Sequence, residues 1–304
     1  MIRIATRSSA LALAQARQVA DMLGGGELVE VSSDGEVGDK SRFVRGVEKV
    51  LLDGGAEIGV HSAKDLPGEM PDELAIAAVP RREDSADVWI GVGDSLDDVP
   101  EGARVGTASL RRRAQLLAAR PDLEVSELHG NVDTRLRKLG EGELDAIVLA
   151  LAGLRRLGRE GEVGFAIPAE TMTPAAGQGA LVLQARADDD ATVDVASAIG
   201  NETALRELTA ERAVVAPLDA TCASPIGVHA HLGSREDGPG PDGEGEYLVI
   251  ETFVGLPDGS EWIRDRIEGD VSEPAALGAK LAERLLGAGA RKILDRAEEG
   301  NRGA

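Results

Sequence analysis

Short apolar runs alternate with Ala- and Leu-rich amphipathic segments through the first half of the chain, which is the pattern of strands each followed by a helix. Ile2 to Thr6 leads into a helix from Ala10 to Leu23, and a helix from Phe43 to Leu52 precedes a second short strand, Ile58 to His61. From Ala86 to about Leu157 the alternation returns, with strands near Val88 to Val92, Arg104 to Gly106, Glu124 to Leu128 and Ala146 to Leu149. The repetition predicts two α/β units of one style. Proline junctions at Val79-Pro80-Arg81 and Thr173-Pro174-Ala175 bracket the second unit. The strand-like run Ala180 to Gln184 is then placed to rejoin the first sheet, which would make a hinge of two crossings.

After about Asn201 the pattern changes to a helix from Glu202 to Val215, strands around Ile226 to His231 and Tyr247 to Val254, and a long helix from Pro274 towards Arg296. That is an α+β domain. The expected division is residues 1–80 with 180–200, residues 81–179, and residues 201–304. Gly233 to Glu246 is too rich in glycine, proline and acid to bury surface, and reads as a loop without a catalytic role.

Composition narrows the function classes. A chain of 304 residues with 42% hydrophobic residues can bury a core. It has no apolar run of the roughly 18 residues a membrane helix needs, and its first residues go straight into the alternating strand, so the expected address is the cytoplasm, with no membrane partner. A net charge of −21 argues against a nucleic-acid surface, which needs clustered positive charge. Acid excess on this scale suits a protein kept soluble in concentrated salt. Any cluster of arginines therefore stands against its background and needs a reason. The single cysteine, Cys222, excludes an internal disulfide, and the four histidines show no metal-ligand spacing.

Ligands of open α/β sheets gather at the carboxyl ends of strands. Here those positions carry Arg7-Ser8-Ser9, Ser62-Ala63-Lys64-Asp65, the run Thr107-Ala108-Ser109-Leu110-Arg111-Arg112-Arg113, then His129-Gly130-Asn131 through Arg135, and Ala152-Gly153-Leu154-Arg155-Arg156. Hydroxyls, helix N-terminal amides and guanidinium forks at successive turns form an array for a small polyanion. Ser109 alone could be a helix cap and the arginines a solvated face, but five strand ends in agreement favour the array. Lys64-Asp65 before Pro67 is a candidate acid/base pair, with a backbone-bonded turn aspartate as the plain alternative. His61 reads as a packed strand-end histidine. Cys222 lies in a turn, Thr221 to Gly227, ahead of a strand; a lone cysteine is usually a small buried hydrophobe, and no histidine base is marked for it.

Six segments, in order, closely resemble the hydroxymethylbilane synthase (porphobilinogen deaminase) family: Arg3 to Ser9, His61 to Pro67, Gly106 to Arg112, Gly130 to Leu136, Pro174 to Ala180 and the Cys222 turn. The resemblance implies two α/β domains like a type II periplasmic binding protein, with the site between them, and a third, α+β domain. It implies a transferase of tetrapyrrole biosynthesis that joins four porphobilinogen molecules head to tail, losing ammonia each time, onto a dipyrromethane cofactor held by thioether to Cys222. Carried onto matching positions, it makes Asp65 catalytic and Lys64, Thr107, Ser109, Arg111, Arg112 and Arg135 cofactor-binding. Arg7, Ser9, Lys40, Phe43, His129, Arg156 and Gln178 become substrate-binding. It implies no metal; nothing in the sequence demands more than a monomer, and a uroporphyrinogen III synthase is the candidate partner for hand-over of product. Three positions depart from the family pattern: His129 stands where an arginine is usual, the Ser32 to Arg42 loop is short, and Ala220 and Thr221 replace glycines before Cys222. The rival reading is a two-lobed binding protein that holds an anionic solute without reaction. A phosphate-handling enzyme is disfavoured by the lack of a Gly-x-x-x-x-Gly-Lys run.

Overall fold

The computed structural model describes residues 1–31, 41–68, 70–221, 223–233 and 246–302. The chain begins with β1 (Arg3–Arg7), α1 (Ala10–Met22), β2 (Glu27–Val31), α2 (Ser41–Leu52) and β3 (Ile58–Ser62). A 3-10 turn, Ala63–Asp65, and β4 (Leu74–Ala78) follow. It then crosses to β5 (Asp87–Gly91), β6 (Arg104–Gly106), α3 (Leu110–Ala119), β7 (Glu124–Ser126), α4 (Val132–Gly140), β8 (Ala146–Ala150), α5 (Leu151–Arg156) and β9 (Phe165–Ile167). A second crossing leads to β10 (Leu181–Arg186), α6 (Asp190–Ser197) and α7 (Glu202–Val215). The last elements are β11 (Ile226–Leu232), β12 (Tyr247–Gly255), β13 (Trp262–Asp270), α8 (Pro274–Gly287) and α9 (Ala290–Arg302).

Three sheets result. The first has the order β2-β1-β3-β10-β4 and the second β7-β6-β8-β5-β9. In each, the central strands are parallel, and one antiparallel strand, β10 or β5, lies between the third and fifth positions. Both inserted strands adjoin a crossing, so the run from Ala180 does rejoin the first sheet. Two such lobes joined by a double crossing are the architecture of periplasmic-binding-protein-like α/β folds. The third sheet, β11-β12-β13, is antiparallel, with α7 and α8 packed on it.

Local sequence explains the elements that position the strand ends. In α1 the buried residues Ala12, Gln15, Ala16, Val19 and Ala20 form one helical stripe, and Ser9 caps the N-terminus by accepting from Ala12 N. Ser109 caps α3 and Asn131 caps α4 in the same way. The lobes have separate cores: Ile4, Ile58 and Leu183 in the first, and Trp89, Leu116 and Val148 in the second. Val228, Ile250 and Leu281 belong to the core of the third unit.

The sequence expectations need three corrections. Strands β2, β4, β9 and β13 were absent from them, and the strand from Glu124 stops at Ser126. The long helix from Pro274 is two helices, because Gly289 takes φ +98, which breaks the ladder between α8 and α9. The Gly233 to Glu246 expectation falls mainly outside the described residues.

The two crossings lie side by side. Glu83 N donates to Gly179 O at 3.3 Å, and Arg82 Nε donates to Gln178 O at 2.9 Å. Gly179 has φ +88, and a Cβ there would come within 2.2 Å of Glu83 O, so no other residue fits this crossing. The third unit grips the same place. Glu211 of α7 is fully buried; its carboxylate takes Arg82 Nη1 at 2.8 Å, Gly177 N at 2.6 Å and Ala230 N at 2.8 Å. Arg264 of β13 donates to Thr171 O at 2.9 Å and lies over the Phe253 ring at 4.9 Å.

Candidate active site

The carboxyl ends of β1 and β3 in one lobe, and of β6 and β8 in the other, bring most of the expected residues together. At the end of β1, Arg7 Nη1 is 3.9 Å from Asp65 Oδ2, and both side chains are about a quarter to a third exposed, at 34% and 26%. Lys64 precedes Asp65 on the 3-10 turn, whose Ala63 N bonds Ala180 O of the second crossing at 3.0 Å. Although part of Lys64 reaches solvent, burial pushes its pKa down to about 8, and the nearby Arg112 guanidinium pushes the same way. Lys64 thus senses Arg112 of the other lobe, and Leu11 of α1 faces Gly153 of α5 closely enough that a Cβ added there would lie 3.8 Å from it.

In the second lobe Arg111 and Arg112 are buried, not a solvated face, at 4% and 6% exposed. They converge on Asp87, the fully enclosed first residue of β5. Arg111 Nη1 lies 2.6 Å from Oδ2; Arg112 Nε and Nη2 lie 2.9 and 2.7 Å from Oδ1. Gln178 Nε2, from the second crossing, is 3.0 Å from the same Oδ1. Burial opposes ionisation of Asp87, but the two guanidinium groups outweigh it and hold the carboxyl far below its usual range. Arg135 of α4 stands near enough to Arg112 that burial and this like charge lower its pKa to about 10. Its Nε donates to Gly130 O at 2.9 Å. Arg156 reaches the crossing, with Nη2 2.6 Å from Gly179 O, and burial lowers its pKa as well.

The hydroxyls are partly committed. Ser9 Oγ and Ser109 Oγ serve as helix caps, and Thr107 Oγ1 accepts from Ser109 N at 3.2 Å. Their O–H protons stay available as donors. His129 is not drawn in: it is exposed, with Nε2 2.9 Å from Glu127 Oε2. Cys222 and Lys40 lie outside the described residues, as does the side chain of Phe43. His61 is the packed histidine expected, 3.1 Å from Gln184 Oε1, and burial lowers its pKa to about 4.

Sequence reasoning missed Asp87. The available signal was an aspartate opening the apolar run Val88-Trp89-Ile90, because a charge starting a doubly covered strand must be paired. It also missed Glu211 and Arg82, whose burial shows only once α7 is packed.

Guanidinium and ammonium groups at facing strand ends, with the Asp65 carboxylate beside Arg7, define a two-lobed α/β protein whose strand ends carry cations of the kind suited to anions. Residues 2–194 match the family model described as porphobilinogen deaminase, dipyromethane cofactor binding domain, and residues 205–287 match porphobilinogen deaminase, C-terminal domain. The chain belongs to the porphobilinogen deaminase family. It is 41% identical to the porphobilinogen deaminase of Syntrophus aciditrophicus (strain SB), over 98% of this chain and 99% of that one. It is 40% identical to that of Brevibacillus brevis, over 96% of each chain. Among solved structures, a periplasmic sulfonate-binding protein, SsuA from Methylobacillus flagellatus KT, is a loose likeness: TM-score 0.40 and 15% identity, over 67% of this chain and 66% of that one.

The residues present fit a dipyrromethane bearing carboxylate arms. Buried guanidinium N–H groups at Arg113 and Arg156, both Nε, have no partner among the described residues, and these are donors suited to carboxylates.

Proposed function

We propose that the chain condenses porphobilinogen into hydroxymethylbilane on a dipyrromethane primer attached through Cys222. The observation that carries this reading is that Arg7 stands beside Asp65 while the neighbouring Lys64 faces Arg112, itself next to Arg111 and near Arg135, so that cations of both lobes meet in a member of the porphobilinogen deaminase family. When bound, the dipyrromethane supplies the pyrrole end to which each new unit is joined. Lys64, Arg111, Arg112 and Arg135, with the Thr107 and Ser109 hydroxyls, hold its acid arms. Arg7, Ser9, Arg156 and Gln178 hold the incoming porphobilinogen, together with Lys40 and Phe43. Asp65 carries the proton chemistry. Ammonia departs with the electron pair of its C–N bond, positive charge spreads over the incoming ring, and an ionised Asp65 offsets it. The pyrrole that gains the new C–C bond has to lose the proton from the bonded carbon, and the same carboxylate would take it.

The division into residues 1–80 with 180–200, 81–179 and 201–304 is part of this reading and is supported by sheet membership. A cytoplasmic address, a monomeric state and delivery of product to a uroporphyrinogen III synthase belong to the same reading. A binding protein without chemistry is the rival, and the names of the relatives disfavour it.

The direct test is purified protein with porphobilinogen: one ammonia per pyrrole and a linear tetrapyrrole are expected, and binding without ammonia release would overturn the reading. The Lys64 environment adds a pH dependence. Its ammonium is charged below about 8 and neutral above, so kcat/KM should fall as pH rises through that value, and Lys64→Met should flatten that limb. An unchanged alkaline limb in Lys64→Met would remove Lys64 from anion binding.

A further inference from the structure

Asp87 occupies a position that the chemistry above does not use. It is 0% exposed and begins β5 directly after the first crossing. All four of its hydrogen bonds described above come from groups that belong to the anion site or its hinge. Arg112 sets its Nε and Nη2 edge on Asp87, while its Nη1 donates to Val148 O at 3.0 Å. Arg111 Nη1 is shared between Asp87 and Thr173 O, the latter at 2.7 Å. A planar guanidinium held along one edge keeps one roll angle, and its remaining N–H groups then point in one direction.

The acceptors come from both crossings. Thr173 is itself fixed by Gln115, which donates to its O at 3.0 Å and accepts from its N at 2.8 Å. Gln178 ties Asp87 to Ser85 O at 2.6 Å, and its own carbonyl receives Arg82, the partner of Glu211. One carboxylate is therefore where the hinge and the two buried arginines meet, with the third unit linked to it through Arg82 and Gln178.

We propose that Asp87 is a positioning residue: it sets the orientation of the Arg111 and Arg112 guanidinium groups and so the direction in which they meet the carboxylates of a bound pyrrole chain. This role rests on the functional reading above. A carboxylate that served only to neutralise two buried cations would tolerate relocation, whereas a positioning carboxylate would not.

Asp87→Glu separates the two. It keeps the charge but shifts the carboxylate by about 1.5 Å, one C–C bond. Three quantities are read per folded molecule: thermal midpoint, dipyrrole occupancy by intact mass after reconstitution of the cofactor-free protein, and kcat/KM. The expected outcome is a folded variant whose occupancy and kcat/KM both fall at least roughly tenfold, the scale set by misplacing charge-assisted contacts. A lowered midpoint with wild-type occupancy and kcat/KM overturns the positioning role and leaves a structural one. The wild-type mass is read first; no excess there overturns the functional reading, and an excess there with an indistinguishable Asp87→Glu overturns the role alone. Should Asp87→Glu not fold, a structure of the wild-type holoprotein decides. Both arginines are expected to keep their Asp87 bonds while their other N–H groups contact ligand carboxylates, and release of either one on ligand binding overturns the proposal.

Discussion

Replacing Asp65 by asparagine is expected to leave a folded, cofactor-bearing protein whose turnover falls by roughly a thousandfold or more. The side chain keeps its size and an acceptor oxygen, so the 3-10 turn is not asked to repack. The ion pair it loses, with Arg7 at 3.9 Å and both partners partly exposed, belongs to the class worth about 0–1 kcal/mol. Stability should therefore change little. What disappears is a negative charge beside the ring that turns cationic, and a group able to take its proton. The measurement is steady-state kcat on protein whose intact mass shows the cofactor in place. Turnover close to that of the wild type would take Asp65 out of the mechanism.

Replacing Cys222 by alanine is expected to abolish both the dipyrrole-sized mass excess and all turnover. The residues beside it form a turn independent of the thiol: Thr221 N bonds Ser224 Oγ at 3.0 Å, Ala223 N bonds Thr221 Oγ1 at 3.2 Å, and Ile226 enters β11 buried. Folding should survive the substitution, as a thermal midpoint within about 5 °C of the wild type would show. Thr221 stands where the resemblance leads one to expect glycine, and its hydroxyl closes the turn that a glycine would leave loose. An active wild type with an unmodified Cys222 would refute sulfur attachment.

The site was legible in the sequence because its residues sit at strand ends, where a short motif carries cation, hydroxyl and helix cap within one turn. Asp65, Lys64 and the Arg111-Arg112 pair could be read that way. The partners those residues use could not. Asp87 is one acid ahead of an apolar strand, and that arginines two dozen positions later close on it depends on how β5 inserts between β8 and β9. The missed strands have separate causes. In β13, Trp262–Asp270, charges on the exposed face mask the alternation, and Ile267 alone of its residues is buried. In β4, Leu74–Ala78, a run of small apolar residues suits a helix as well as a strand. His129 shows the limit of motif transfer: its segment matches in order, yet its side chain turns to Glu127 on the surface.

The inserted strands also fix the order in which the chain can be completed as it is made. Strands β5 to β9 all fall between Asp87 and Ile167, so the second sheet can close from one continuous stretch of nascent polypeptide. The first sheet has to wait for Leu181–Arg186 to slot between β3 and β4. Until then those two strands leave the ribosome with open edges, the state most prone to mispairing. The amino-terminal lobe of this protein thus closes after the second lobe that follows it in the chain, and is the part for which a chaperone would matter most.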